Sequence, residues 1–525
     1  MSFRISEALK DASLNWYQAY KRKDRQKKYK QQTNCNRNIF YSWTLSYEII
    51  EGYKWVKCSG IAGLLKKGKC EKIVIVEKRF DVWLTTGDES KKLSREASIV
   101  ANSEQTNGFS VNVNPATRYQ TMDGFGAAIT NAAAYNIYSS PQRSQIINDL
   151  FGKDGIGISY IRLTMGGSDF QAVEPYTYND MPSCHNDTAL ANFSIAKDHQ
   201  FIIPVLQGAL RENPTLKIMA TPWSAPAWMK NNCSLNGGFL REDYMNVYAD
   251  YFLKFVQAYA DEGITINAIT VQNEPLHESQ DYPSMYMWWQ QQSTFIKDHL
   301  GPRLSSTSTK IIAYDHNWDD TAFTTGILSD SDTNAFVDGS AWHCYSNPAE
   351  DYYKKPGDIR NQFPNKNIYF TECTGGDWST DFGNNIRWNA RYLFIGQPRN
   401  GAKTVLLWNM ALDEDHGPKV GVGGCSDCRG VVTVDQTSYQ REVEYYLIGH
   451  FSKFVPTGSV RIDSSNFGWD DVHTVAFEAP DGAIVAVVLN PSSTNTVNFN
   501  LNLSGSTYQY NNLPPKSVVT LKMSP

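Results

Sequence analysis

The stretch Ile266–Pro275 reads Ile-Asn-Ala-Ile-Thr-Val-Gln-Asn-Glu-Pro, a short apolar run followed at once by polar residues. Its β-branched part, Ile266–Val271, is typical of a strand. The end of this strand carries a carboxylate, Glu274, where strands of α/β barrels carry their functional groups. The stretch therefore predicts both a strand and a candidate catalytic residue.

Seven more runs of this kind occur along the chain, separated by stretches long enough for helices. Strands that alternate with helices indicate parallel βα units, and eight units over about 290 residues predict a (β/α)8 barrel. The other predicted strands are Gly124–Ile129, Ser159–Met165, Lys217–Thr221, Lys310–Tyr314, Ala341–Tyr345, Asn367–Thr371 and Lys403–Trp408.

The pattern changes again after about Gly449. Residues 474–490 read as two strands around a turn, and apolar residues alternate with asparagines along 497–503, as in a half-buried strand. Strands before the barrel, such as Phe109–Val113, are expected to join them. The fold class is therefore α/β, a TIM barrel with a β-sandwich side domain built from both flanks of the barrel.

The composition is globular, with 41% hydrophobic and 20% charged residues, and this excludes a wholly disordered chain. Residues 1–80 carry a net charge of +11 and the remainder −16, which gives −5 overall. Nucleic acid therefore has little reason to bind the whole chain. The predicted parts are a basic N-terminal extension at 1–81, sandwich strands at 82–120, the barrel at 121–448 and the C-terminal β-sandwich at 449–525.

No apolar run reaches the roughly 18–20 residues of a membrane helix, and no apolar signal segment follows Met1. The sequence offers no metal or cofactor site, because His277–Asp281 lacks the second histidine of a zinc-binding HExxH motif. Cys425 and Cys428 are spaced as a zinc half-site or a redox pair, but a structural or locally paired role is favoured. The nine cysteines are too sparse to predict a disulfide scaffold. The oligomeric state stays open.

Two predicted strands, the fourth and the seventh, end in glutamates, Glu274 and Glu372. One such residue is more often a salt-bridge partner, but two at the same face of a barrel favour catalysis. Glycosidic cleavage needs one carboxyl to protonate the leaving oxygen and another to attack or to activate water. With the aromatic and amide residues at other strand ends, the pair predicts a glycosidase.

The sequence resembles glycoside hydrolase family 30 over residues 82–525. The resemblance rests on five motifs in the same order, namely Tyr119–Gly126, Tyr160–Met165, Ala220–Ser224, Val271–Pro275 and Phe370–Glu372. It implies the fold described above. It also implies that Glu274 is the general acid/base, that Glu372 is the nucleophile and that Asn273 holds the sugar 2-hydroxyl. Further implied substrate-binding residues are Asp169, Trp223, His343, Tyr345 and Trp408, with Arg162 in support.

As function, the resemblance implies a retaining β-glucosidase that hydrolyses glucosylceramide in sphingolipid metabolism, lysosomal or secreted, and in contact with a membrane surface when the substrate is a lipid. For this chemistry we expect a raised pKa for Glu274 and an ionised Glu372. An endo-β-1,6-glucanase of the same family is the alternative, which the loop Gly423–Gly430 favours. An inactive sugar- or lipid-binding protein is a third interpretation, which the presence of both carboxylates disfavours.

Overall fold

The computed structural model describes residues 31–32, 43–50, 53–60, 74–76, 78–102, 107–421 and 423–525. The chain divides into two compact units, Met1–Lys78 and Arg79–Pro525. The first unit contains an antiparallel sheet whose strands neighbour one another in chain order: Gln31–Gln32, Trp43–Ile50, Tyr53–Gly60 and Val74–Val76. The lysine-rich run at 21–28, part of the predicted basic extension, lies outside the described residues.

The second unit contains a closed barrel of eight parallel strands, and all eight predicted strands are among them. The prediction of the fold class is therefore confirmed. The barrel strands are Gly124–Ile129, Tyr160–Thr164, Lys217–Thr221, Ala268–Thr270, Lys310–Asn317, Val337–His343, Asn367–Glu372 and Ala402–Leu407.

Helices connect the barrel strands and cover the outside of the barrel. Met245–Asp261, for example, buries a row of aromatic side chains that includes Tyr248, Phe252 and Phe255. The α-helices are Asn131–Ser139, Arg143–Phe151, Ile202–Glu212, Met245–Asp261, Trp289–Thr294, Gly301–Leu304, Thr321–Ser329, Ser331–Asn334, Ala349–Tyr352, Lys355–Gln362, Phe382–Asn389, Gly396–Arg399 and Val443–Ser452. Two π-helical segments, Phe295–Leu300 and Ala390–Ile395, continue two of them.

The β-sandwich is a sheet of nine strands that folds back on itself. An isolated bridge between Ala101 and Tyr508 joins its two end strands, and apolar side chains such as Phe80, Val111 and Leu501 fill the space between the layers. In sheet order its strands are Ser506–Leu513, Val497–Leu503, Phe109–Thr121, Val460–Ser464, His473–Glu478, Ile484–Asn490, Ser517–Met523, Arg79–Thr85 and Ser94–Val100.

The helix Val443–Ser452 lies at the junction of barrel and sandwich. Its His450 is fully buried and hydrogen-bonds Thr85 and Thr520, which lie on adjacent strands of the sandwich. Among the described residues, no helix is both long enough and apolar enough to cross a membrane.

Three disulfides link described cysteines, Cys184–Cys233, Cys344–Cys373 and Cys425–Cys428. The local pairing favoured for the last two cysteines is therefore present. The sequence did not predict the other two bridges, because their partners are 49 and 29 residues apart along the chain and meet only in the fold.

Candidate active site

A layer of apolar side chains fills the interior of the barrel and is here called the plug. The site lies one layer above it. Seven barrel strands contribute a buried side chain to this plug: Tyr160, Met219, Ala268, Ile312, Ala341, Tyr369 and Leu406. Side chains two residues further along a strand point to the same side. Arg162, Thr221, Thr270 and Thr371 each follow a plug residue by two, and they therefore line the interior above it.

The two predicted catalytic glutamates meet at this level. One carboxylate oxygen of Glu274, one of Glu372 and a ring nitrogen of His343 all lie within 4.8 Å of one another. Retaining glycosidases hold their carboxyls about 5–5.5 Å apart, and inverting ones about 6.5–9.5 Å. The separation here is therefore in the range for attack by a carboxylate on the sugar.

Arg162 organises the floor of the site. Its guanidinium is completely buried and donates to Glu372, to Asn273 Oδ1 (2.6 Å) and to Asp315 Oδ2 (2.8 Å). A buried guanidinium is stable only with such partners. The arginine therefore fixes the nucleophile candidate and the amide next to Glu274 in one plane of hydrogen bonds.

His343 connects the two candidate catalytic groups to Asp315. Its Nδ1 lies 3.1 Å from Glu274 Oε1 and its Nε2 lies 3.0 Å from Asp315 Oδ1. Because both nitrogens face carboxylates, both act as donors, and neither has a lone pair for a metal ion. On the other side of Glu372, the Tyr345 hydroxyl donates to Oε1 at 2.9 Å.

Asp315 is a site residue that the sequence analysis missed. Its buried carboxylate accepts hydrogen bonds from Arg162, His343, Thr270 (2.6 Å) and Thr371 (2.7 Å). Burial raises its pKa, but Arg162 and His343 outweigh burial and hold the pKa well below its usual range. The fifth strand was predicted to end at Tyr314, one residue too early to include it.

The pKa values of the unliganded pair differ from the expectation. Burial raises the pKa of Glu274, but the hydrogen bond from His343 and the nearby histidine charges outweigh burial and lower it to about 2. Burial raises the pKa of Glu372, and the charges of His343 and Arg162 offset this only in part. The pKa of His343 itself is lowered by burial, but the Glu372 charge and the hydrogen bonds to its carboxylate partners raise it to about 9. In the site without substrate, His343 therefore carries a proton and Glu274 is ionised.

Aromatic rings and one further carboxyl form the wall of the site. Trp223 and Trp408 stack with ring centroids 5.1 Å apart, and Phe170 packs edge-on against Trp408. Burial and the Glu372 charge raise the pKa of Asp169 to about 7. Gly424 lies against Asp169, where an added Cβ would come within 2.9 Å of the side chain, so the loop after the eighth strand closes over it. The Arg162 guanidinium lies 4.9 Å from the ring centroid of Trp223 and 5.7 Å from that of Trp408, so the structure brings these rings next to the buried arginine.

Three of the described non-glycine residues with positive φ angles lie at the site, and others lie elsewhere in the chain. Glu274, Asp315 and Asn409 have φ angles of 41°, 82° and 23°. Non-glycine residues occupy this region at a cost, and such strain clusters at functional sites. The Cys344–Cys373 disulfide joins the residues that directly follow His343 and Glu372, and it ties together the ends of two neighbouring strands.

Comparisons with known proteins identify the family. The model of the glycosyl hydrolase family 30 TIM-barrel domain matches residues 122–455, and that of the family 30 β-sandwich domain matches residues 458–521. An endo-1,6-beta-D-glucanase of Trichoderma harzianum is 34% identical over 76% of this chain and 84% of its own. The solved structure of the endo-beta1,6-glucanase BT3312 is 33% identical, with a TM-score of 0.78 over 85% of this chain and 99% of its own.

The expected glucosylceramide specificity is wrong. The lysosomal acid glucosylceramidase of Mus musculus is 30% identical over 77% of this chain and 82% of its own, and is thus less similar than the endo-1,6-glucanases named above. The comparisons also give no support to the expected contact with lipid or membrane. The family and a glycan substrate are shown by the match over barrel and sandwich. The chain belongs to glycosyl hydrolase family 30 and is a hydrolase of O-glycosyl bonds.

Proposed function

We propose that this protein is a retaining endo-β-1,6-glucanase. The observation that carries the mechanism is the spacing of Glu274 and Glu372 within 4.8 Å, which leaves no room for a water molecule between sugar and carboxylate. The linkage is inferred from the two endo-1,6-glucanases that are 33–34% identical over most of their lengths.

The reaction proceeds in two displacements. Glu372 attacks the anomeric carbon while Glu274 protonates the departing glycosidic oxygen, and the C–O bond of the substrate is replaced by a glycosyl ester. Glu274 then takes a proton from water, which attacks the ester and releases Glu372. Asn273, held by Arg162, is positioned to donate to the sugar next to the acid/base.

We infer that His343 supplies the proton that Glu274 delivers. Formation of the ester removes the negative charge of Glu372, which is the largest of the interactions that raise the pKa of His343. His343 therefore becomes more acidic during the attack, and its Nδ1 proton passes to Glu274 over the 3.1 Å contact. The water of the second step returns a proton to this pair.

Two variants with an azide nucleophile test the assignment. An aryl β-glucoside and sodium azide should give the α-glycosyl azide with Glu372→Gly, because one displacement inverts the anomeric carbon. The same reagents should give the β-glycosyl azide with Glu274→Ala, because the enzyme ester still forms first. Glu478→Gln, on the sandwich and paired with Arg118, is the control. The same azide anomer from both variants would contradict the roles.

The substrate class is tested by incubating the full chain with each of three polysaccharides and one glycolipid. We expect short oligosaccharides from linear β-1,6-glucan, with the new reducing ends initially in the β form by NMR. β-1,3-glucan, xylan and glucosylceramide should give little product at equal enzyme concentration. Faster release from any of these three would overturn the proposed linkage.

We also propose that the protein works outside the reducing cytosol. The three disulfides among the described residues support this, because such bonds persist mainly in secreted and other oxidised proteins. Mass spectrometry of the natively isolated protein after thiol alkylation should find these six cysteines unmodified before reduction. Alkylation of all six would contradict the proposal.

A further inference from the structure

Two neighbouring cavities lie outside the carboxyl pair, and neither Glu274 nor Glu372 lines them. The first, of about 560 Å³, is bordered by Tyr345, whose hydroxyl donates to Glu372. The second, of about 610 Å³, lies at the junction of the barrel with the sandwich loops around 470 and 492. Arg387 and Arg391 line both cavities, so the two adjoin at these side chains. We call the combined space the outer groove.

Each half of the outer groove presents an exposed tryptophan. Trp378 lines the first cavity and Trp469 the second, with 57% and 42% of their surface exposed. They are the two most exposed aromatic side chains in the part of the chain that the structure describes. Tryptophan is enriched at interaction surfaces, because its ring offers a large apolar face and an N–H donor.

Trp469 is held in place from below. The Arg391 guanidinium lies 4.4 Å from its ring centroid, and the Tyr392 ring lies 5.7 Å away. Arg387, next along the same groove, donates to Ser493 Oγ on the sandwich at 3.0 Å. These contacts fix the ring as a platform while much of its surface stays open to solvent.

The polar lining suits a neutral polyhydroxyl ligand. The two arginines donate hydrogen bonds, whereas Asp470 and Asp471 in the second cavity accept them. Sugar rings offer apolar C–H faces for stacking and hydroxyls that both donate and accept. The charges of the two arginines and the two aspartates balance, so the lining as a whole offers a polyanionic chain no net attraction.

We propose that the outer groove is a distal binding site for a β-glucan chain, engaged while another part of the same chain occupies the carboxyl pair. This inference rests on the proposed endo-β-1,6-glucanase function. The groove begins at Tyr345 and ends on the sandwich, so it serves long chains and leaves short ones without contact. The sandwich thus takes part in substrate binding through Trp469.

The test compares Trp469→Ala with Tyr119→Ala. Tyr119 is a matched control, because it is 38% exposed and lies under Arg461 at 3.5 Å but lines neither cavity. For each protein, kcat/KM is measured on long β-1,6-glucan and on a β-1,6-linked glucose trimer. We expect Trp469→Ala to lower the polymer-to-trimer ratio of kcat/KM about fivefold, the loss typical of one aromatic stack. Trp469→Phe should restore most of it.

A binding measurement separates failure of the groove from failure of the linkage assignment. Affinity electrophoresis of a Glu372→Gln background uses gels that contain β-1,6-glucan, β-1,3-glucan, xylan or an acidic polysaccharide. Retardation by a neutral glucan that Trp469→Ala removes and Tyr119→Ala keeps supports the groove, even when wild-type protein does not cleave β-1,6-glucan. Equal mobility shifts for both variants in every gel, retardation by xylan alone, or retardation by the acidic polymer alone would overturn it.

Discussion

His450 makes the junction of barrel and sandwich sensitive to acid. Thr520 donates its hydroxyl proton to the backbone carbonyl of His450 at 3.0 Å. The Thr520 hydroxyl oxygen therefore accepts the hydrogen bond from His450 Nδ1 at 2.8 Å. The Thr85 hydroxyl accepts from the Leu93 amide, and its own proton is placed to donate to Nε2, which lies 2.8 Å away. A neutral ring with its proton on Nδ1 satisfies both contacts, and burial lowers the pKa of His450 to about 3.

The magnitude follows from proton linkage. An unfolded histidine has a pKa of about 6.5, so below that pH the unfolded chain binds a proton that the folded one excludes. Stability is therefore lost as the pH falls from about 6.5 towards 3. Between pH 8 and pH 5 this one residue should cost about 2 kcal/mol of unfolding free energy.

Guanidinium titrations at pH 8 and pH 5 measure this contribution. His450→Gln keeps one donor and one acceptor but does not titrate, so its stability should fall by about 2 kcal/mol less than that of the wild type over this range. His185→Gln, which changes an exposed histidine, should behave as the wild type. Equal losses in the wild type and in His450→Gln would refute the reasoning.

Three further outcomes are expected. Asp315→Asn should lower the unfolding free energy by about 3 kcal/mol in denaturant titrations, because it leaves a buried guanidinium with one carboxylate fewer. In Glu372→Gln, NMR of labelled histidines should place the pKa of His343 below its wild-type value of about 9, since the largest interaction that raises it is gone; an unchanged value would contradict proton supply by this ring. The Cys344→Ala/Cys373→Ala protein should have a lower kcat with a smaller change in KM, and in denaturant titrations an unfolding free energy about 3–4 kcal/mol below that of the wild type; an unchanged kcat and an unchanged unfolding free energy would contradict a role for this bridge at the site.

The barrel and its two glutamates could be predicted because the sequence pattern indicates where strands end. A β-branched run fixes where a strand ends, and parallel strands bring their ends to one face. Glu274 and Glu372 follow from that as candidates, and the family resemblance adds their roles as acid/base and nucleophile. Asp315 does not follow from the strand ends. The register of its strand shifts between Tyr314 and His316, so the alternation of side chains that places Arg162, Thr221 and Thr270 inside the barrel does not predict an inward Asp315.

The electrostatic state of the pair could not be predicted because it depends on contacts across the barrel. The expectation of a raised pKa for Glu274 considered burial and the neighbouring carboxylate. It did not include the hydrogen bond from His343, which lies 69 residues away in sequence and is held by Asp315. The outer groove could not be predicted from the sequence either. Trp378 and Trp469 are 91 positions apart, and the cavities that they line adjoin at Arg387 and Arg391.

The order of strands in the sandwich has a consequence for biosynthesis. Ser517–Met523 pairs on one side with Ile484–Asn490 and on the other with Arg79–Thr85, near the start of the same unit. A ribosome therefore releases this interior strand of the sheet after more than four hundred residues of barrel and sandwich have emerged, and until then Arg79–Thr85 pairs only with Ser94–Val100 and leaves its other edge open. Such an edge invites association with other nascent chains. Expression yield should thus depend on chaperone supply, and removal of the last nine residues should leave insoluble protein even though it deletes nothing from the barrel.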